Sequence, residues 1–542
     1  MLLLPALDRF LTKYSKWLEI GLLLLFCLLP LFLSYPYRVN IYLSWEGAYR
    51  LYLGQLPYRD FGMPTGYAYW LLPALFFKLF GPYMMSLVKA QVVLNIVSGL
   101  SLISILKSLK VKDGWRLALL FFFCLTYVLI NFWPWYNQTV FVYQLLSLAL
   151  LFRVLLRQTK YPILHYLAAG LFSVLSFLTK QDGGGLAIAL NIALVTYYTV
   201  SSRNFKPALY FGFSLLIFGL ALILPFIQYD FGYWFNYGQA PHYSRLNKGD
   251  ILALLLKDSQ WLKFYLILAF IAYAIRIKHW KNVLSHTQET LFFLLTAGIL
   301  VQAIIIQVTS YTPPDNNIYY HTFAISYLVY AFIQPYAAIN WTNLSLLTIG
   351  ILFWWSGSYY KYINRVVNRI APKQPVTNAD PNKISLSTYV ESYDTSRVGV
   401  NISQWKFLPG SQAFKGVYMP PETVAGIEDI KQLDAIKEGN PKVLNMSELT
   451  PLAHELGYEL ETGTPLWYHL GVSMFDRELA MFENRIENSY YDVVFFETIP
   501  LLNNFYPEPL RDLLKKEYKL HNRFLAPRPQ NNAFIEVYIP KR

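Results

Sequence analysis

The chain has little charge, little cysteine and little histidine for its length. Charged residues make up 15% of its 542 residues, against roughly a quarter in an ordinary soluble domain. An ordinary soluble globule is therefore excluded. Its two cysteines, Cys27 and Cys124, both lie inside apolar runs, which argues against a disulfide framework and predicts buried free thiols. The eight histidines are scattered, and none has a spacing that suggests a zinc site. Asp182-Gly-Gly-Gly185 is glycine-rich but lacks the Lys-Ser/Thr that completes a phosphate-cradling loop. There is no Gly-x-Ser-x-Gly elbow, no solenoid-period repeat and no extended low-complexity segment.

Apolar and aromatic side chains take the place of what is missing. Aromatic residues reach 18%, and apolar runs of roughly twenty residues recur from Leu18 to Gly357, each able to cross a hydrocarbon core of about 30 Å as a helix. No β-barrel alternation is present, so helices are the only way to satisfy the backbone in lipid. The pattern predicts a polytopic α-helical membrane protein. Candidate spans fall near 18–34, 88–105, 117–133, 140–156, 163–178, 186–200, 208–227, 262–277, 290–308, 321–336 and 344–357, giving about 11 transmembrane helices. Tyr67–Gly81 reads as a helix lying at the outer surface or partly inserted.

Charge sets the expected topology. Residues 1–357 hold 25 Lys and Arg against 11 Asp and Glu, whereas residues 358–542 hold 21 against 22. The basic surplus therefore belongs to membrane-flanking loops and points to topology and anionic lipid, not to nucleic acid. Arg9, Lys13 and Lys16 place the N-terminus in the cytoplasm. The first apolar run has no small-residue cleavage site after it and reads as an anchor helix. Basic clusters then alternate with aromatic, nearly uncharged turns, which puts the first loop (35–66) and the C-terminus outside. Lys361, Arg365 and Arg369 follow the last span on that outer side and read as an interfacial arm.

After about Ser358 the composition becomes that of a soluble protein. The expected division is a transmembrane domain over 1–357, an interfacial arm and linker over 358–381, and a soluble α/β domain over 382–542. In the last, helix-like segments (Ile427–Glu438, Pro451–Leu456, Asp476–Asn488, Pro507–Lys519) alternate with strand-like ones (Lys442–Met446, Tyr491–Glu497, Ala533–Ile539).

The candidate chemistry lies at the outer ends of helices. Glu46 follows the first span by about a dozen residues. Among Trp45, Tyr49 and Tyr52 its pKa would be raised by burial and lowered by Arg50, a tunable position for a general base. The alternative is a surface Glu capping a helix Gly47–Leu53. Asp60 sits in the Pro- and Gly-bounded turn Pro57-Tyr-Arg-Asp-Phe-Gly-Met-Pro64, either as a supporting carboxylate or in a local bond with Arg59. Lys180 and Asp182 end one apolar run and begin another. They could bind a lipid phosphate, or form an internal ion pair on a snorkelling lysine. His242 and His321 are weaker candidates for substrate contact, since a lone interfacial His is usually structural.

Taken together, Trp45-Glu46-Gly-Ala-Tyr49, Gly54-Gln-Leu-Pro-Tyr-Arg-Asp-Phe61, Pro64-x-Gly66, Phe76-Phe-Lys-Leu-Phe-Gly81 and Phe177-Leu-Thr-Lys-Gln181 resemble the GT-C superfamily of membrane glycosyltransferases, which includes the protein O-mannosyltransferases and the aminoarabinose transferase of lipid A. The likeness covers about residues 10–200 in pattern and extends to Gly357 in character. It implies an inverting transfer of a sugar from a polyprenyl-phosphate donor to a hydroxyl on a lipid, glycan or protein acceptor, at the outer face of a bacterial inner membrane. It also implies catalytic roles for Glu46 and Asp60, and donor-phosphate binding by Lys180, Arg59 and Arg50. His242, His321 and Asp182 would lie toward the acceptor. No metal or other cofactor is implied, although a divalent cation is compatible with the chemistry. Trp45 stands where the family pattern has its first acid, so the base role falls on Glu46 alone or with Asp60. The competing readings are a lipid-linked glycan translocator and a structural membrane protein whose C-terminal domain binds a partner.

Overall fold

The computed structural model describes residues 4–37, 41–238, 248–258, 260–310, 318–357, 404–471, 473–499, 506–528 and 533–541. The expected arm and linker over 358–381, and His242, lie outside them. The chain divides into two compact units. The first holds Met1–Leu33, Leu43–Leu346 and the short segment Glu461–Trp467; the second holds Ser34–Tyr42, Leu347–Leu460 and Tyr468–Arg542. The loop read as one stretch over 35–66 is thus shared between them.

The first unit is helical. In chain order its leading elements are α1 (Leu4–Leu28), α2 (Ile41–Tyr52), α3 (Ala68–Phe80), α4 (Met84–Ser108), α5 (Asp113–Phe123), α6 (Tyr136–Leu156), α7 (Pro162–Phe177), α8 (Gln181–Ser202) and α9 (Lys206–Ile227). Later helices include Gln260–Ile277, Thr287–Ser310 and His321–Leu328, followed by Trp341–Trp354, of which only the part up to Leu346 belongs to this unit. α6 packs against α4, α7 and α8, while α7 also meets α9. Six of the described helices are long and apolar enough to cross a membrane, or seven if the bent pair Lys248–Lys257 and Trp261–Ile277 forms one span. Of α9's most apolar stretch only 11% is buried, with Leu209, Phe213, Leu216 and Leu220 all exposed. So large an uncovered apolar face suits lipid and not water. α3, at 13 residues, is about 20 Å long and falls short of a hydrocarbon core of roughly 30 Å.

Several polar side chains between the helices pair with one another, as a low-dielectric interior favours. Gln144 donates to Gln302 at 2.7 Å, and Asn191 donates to Ser147 and Ser173, each at 3.0 Å. Glu19 on α1 is 1% exposed and pairs with Lys107 at 2.9 Å and with Arg116, tying α1 to α4 and α5. Cys27 and Cys124 are free and buried.

The second unit is a small α/β domain. Its four-stranded sheet runs in the order Val443–Met446, Val493–Thr498, Phe534–Pro540, Tyr518–Leu525; the first pair is parallel and the other two antiparallel. Val493–Thr498 is buried along its whole length, as expected of a central strand. Three helices accompany the sheet: Pro421–Ile430, Asp476–Glu487 and Glu508–Glu517. A second small sheet pairs Tyr35–Pro36 in parallel with Val417–Met419, which runs antiparallel to Lys406–Phe407. Beneath the main sheet Arg528 bridges the buried Glu448, at 3.0 Å, and the buried Glu497. The helix expected to run to Lys519 ends at Glu517, because Tyr518 already belongs to an edge strand. That strand carries exposed Lys519, Leu520 and His521 and lacks a clear apolar alternation.

Candidate functional site

Glu46 lies in the middle of α2, which starts at Ile41 and not at Gly47 as the sequence suggests. It therefore caps no helix end. Its carboxylate is 4% exposed and meets the Arg50 guanidinium one turn later, at 2.8 Å. Burial pushes the Glu46 carboxyl above its usual range, and Arg50 offsets this only in part. Trp45, fully buried, anchors the helix: its indole N–H donates to the Pro82 carbonyl at 3.2 Å and its ring packs on Tyr49 and Phe77. Trp45 is thus a packing residue.

Arg50 is 2% exposed, and its guanidinium makes four hydrogen bonds beside its ion pair with Glu46. Nε–H donates to a Glu46 carboxylate oxygen at 2.9 Å, and Nη2 lies 2.8 Å from the same oxygen. The Nη1 donors go to the Gln55 amide oxygen at 2.9 Å and the Glu461 carbonyl at 2.8 Å. Nη2 also donates to the Thr464 hydroxyl at 3.4 Å. With its donors so committed, Arg50 is a partner of Glu46 first; a donor phosphate would have to displace one of these acceptors.

Asp60 is placed differently. Its carboxylate accepts the Leu56 N–H at 2.7 Å and two N–H groups of the half-exposed Arg59 at 2.6 and 2.8 Å. The hydrogen bonds from Arg59, with the Leu56 amide assisting, hold the Asp60 carboxyl below its usual range. This carboxylate closes the turn around Pro57 and Tyr58.

The second half of the predicted site docks directly on the first. Gly66 packs so closely that a Cβ there would lie 1.6 Å from the Leu178 carbonyl oxygen, a backbone contact only glycine permits. The Ala68 N–H donates to that same carbonyl at 3.0 Å. The Gln181 amide donates to the Pro64 and Trp234 carbonyls. Lys180, 2% exposed, precedes α8 and meets Asp182 at 2.9 Å. Asp182 also accepts the Gly183 N–H and the Thr309 hydroxyl. From Glu46 to Lys180 the contacts run through Arg50, Phe61, Trp70, Tyr69 and Tyr136, with each successive ring or cation 4.8 to 5.9 Å from the next. Acid, base and aromatic wall belong to one body.

His321 is 2% exposed, at the start of its helix, between the rings of Trp261 and Tyr265. Its ring nitrogens have no hydrogen-bond partner among the described residues. No group of three or more His, Cys, Asp or Glu side chains that could hold a metal occurs among the described residues. Sequence reasoning missed Glu461 and Thr464, which reach Arg50 from more than four hundred residues away. Their only local signal is the turn-forming Thr-Gly-Thr-Pro465. Neither a scan against protein-family models nor a search of curated proteins finds a match to this chain.

Proposed function

We propose that this protein is a membrane-embedded inverting glycosyltransferase that moves a sugar from a polyprenyl-phosphate donor to a hydroxyl acceptor at the outer face of the membrane. In this reading the chain crosses the membrane about eleven times, with its N-terminus in the cytoplasm and its C-terminal α/β domain outside. Glu46 takes the acceptor proton as the hydroxyl oxygen attacks the anomeric carbon. The bond to the phosphate oxygen breaks from the opposite face, and polyprenyl phosphate leaves with the electron pair. Lys180 is the cation that favours the departing phosphate, and Arg59 is the exposed cation nearest the turn. Asp60 keeps the turn in shape beside them.

The single observation that supports this reading best is the docking of the Glu46 loop onto the Leu178-Thr-Lys180 segment through Gly66. Two motifs more than a hundred residues apart thereby form one body, each contributing a buried ion pair. A base with a raised pKa at one end and a buried cation at the other suit a displacement that creates negative charge on phosphate.

The test is to reconstitute the purified protein in liposomes with a panel of polyprenyl-phosphate sugars and candidate acceptors. Free polyprenyl phosphate appearing together with glycosylated acceptor is the expected result. Sugar-loaded carrier crossing the bilayer with no free carrier formed would replace this reading with that of a translocator.

A further inference from the structure

We propose that the segment Glu461–Trp467 is a working part of the candidate site: its Glu461 carbonyl and Thr464 hydroxyl are positioning groups that hold Arg50, and through it Glu46. This inference rests on the glycosyltransferase reading only for its rate measurement.

The segment lies in the helical unit although the residues on either side of it belong to the α/β unit. It enters as a strand: Thr464 and Pro465 run parallel to Phe61 and Gly62. Two further main-chain bonds secure it, from the Gly463 N–H to the Asp60 carbonyl at 2.6 Å and from the Leu466 N–H to the Gly62 carbonyl at 2.8 Å. Gly463 has φ +73°, a left-handed conformation that proline cannot adopt and other residues adopt only with strain. Thr464 and Leu466 are buried.

The polar arithmetic explains why a segment so distant in sequence is needed. Arg50 is a buried cation that donates one hydrogen bond to Glu46 and one to Gln55, with Nη2 2.8 Å from the same Glu46 oxygen. The segment accepts two more bonds, one from Nη1 to the Glu461 carbonyl and one from Nη2 to the Thr464 hydroxyl. The Thr464 hydroxyl accepts from Arg50 and donates its own proton to the Glu461 carbonyl at 3.1 Å. That carbonyl accepts from both. Valine matches the shape of threonine but can do neither. Without the segment, two charged N–H groups would lose these acceptors and be left buried and unpaired, which is costly for a charged donor. The guanidinium would then turn toward whatever acceptors or water it could reach, and its hold on Glu46 would loosen. The same chain reversal thus fixes the turn carrying Asp60 and the charge beside Glu46.

The experiment compares Thr464→Val, Thr464→Ser and Gly463→Pro in the full-length protein in nanodiscs. Hydrogen exchange at the Gly463 and Leu466 amides reads the docking of the segment, and transfer rate reads its effect on the site. Thr464→Val is expected to exchange faster at these amides and to transfer sugar about tenfold more slowly, roughly the worth of one hydrogen bond to a charged group. Thr464→Ser should restore both, and Gly463→Pro, which has no amide at 463, should abolish protection at Leu466. Parental protection and rate in Thr464→Val would overturn the proposal, as would a loss that serine does not rescue. If the parent protein transfers no sugar at all, the glycosyltransferase reading fails, while exchange at Gly463 and Leu466 still decides whether Thr464 holds the segment.

Discussion

Glu46 and Asp60 sit in the same loop, each beside an arginine, yet their surroundings push them in opposite directions. Glu46 is almost wholly buried, and burial raises its pKa despite the Arg50 charge. Asp60 is partly open, and the Arg59 hydrogen bonds with the Leu56 amide lower its pKa. An arginine neighbour alone therefore says little about a carboxylate. What decides is how much water the pair has lost and how many donors remain to replace it. A carboxyl with a raised pKa can take a proton in a reaction; one held ionised by a turn serves the turn.

Several substitutions would break or sharpen this contrast. The largest effect is expected from Glu46→Gln, which keeps shape and removes the base: transfer should fall by about 10²–10⁴, measured as polyprenyl phosphate released per minute. Asp60→Asn should stay within about tenfold of the parent. Equal losses in the two variants would erase the distinction drawn here.

Lys180→Met extends the contrast to the second buried pair. It removes the cation and leaves Asp182 uncompensated; the KM for the lipid donor should rise about tenfold, the worth of a charge-assisted hydrogen bond, with the acceptor KM unchanged. Parallel rises in both constants would point to general damage.

The pH profile separates the two carboxylates by sign. In the proposed role Glu46 acts deprotonated, and its carboxyl is held above the usual 4.5. The acid limb of the pH–rate profile should therefore lie above that value, and Asp60→Asn should leave it in place. A limb at or below 4.5 would remove Glu46 from the role.

The smallest effect concerns stability. The Asp60 carboxyl is held below its usual 3.8, so its contribution is present above about that pH and is lost as the pH falls through the lowered value. Asp60→Asn should melt slightly below the parent at neutral pH, and the difference should vanish on acidification. A gap that widens in acid would contradict the assignment.

Much of the architecture was legible in the sequence because lipid imposes long apolar runs and a small domain imposes short buried strands. Val443–Met446 and Val493–Thr498 follow directly from their apolar stretches. The site was legible only in part. The start of α2 at Ile41 was not, since Trp45 and Tyr49 are poor helix formers whose burial overrides propensity. Nor was the Glu461–Trp467 segment, because pairing across four hundred residues leaves no periodic trace. The edge strand Tyr518–Leu525 was hidden by its polar, exposed face.

The most direct test is a side-by-side measurement of carrier release by the parent protein and by Glu46→Gln in the same liposomes, with insertion and melting temperature matched. The parent is expected to release polyprenyl phosphate in step with glycosylated acceptor, and the variant to release it at least about a hundredfold more slowly. Release at the parental rate by the folded variant would contradict the role assigned to Glu46.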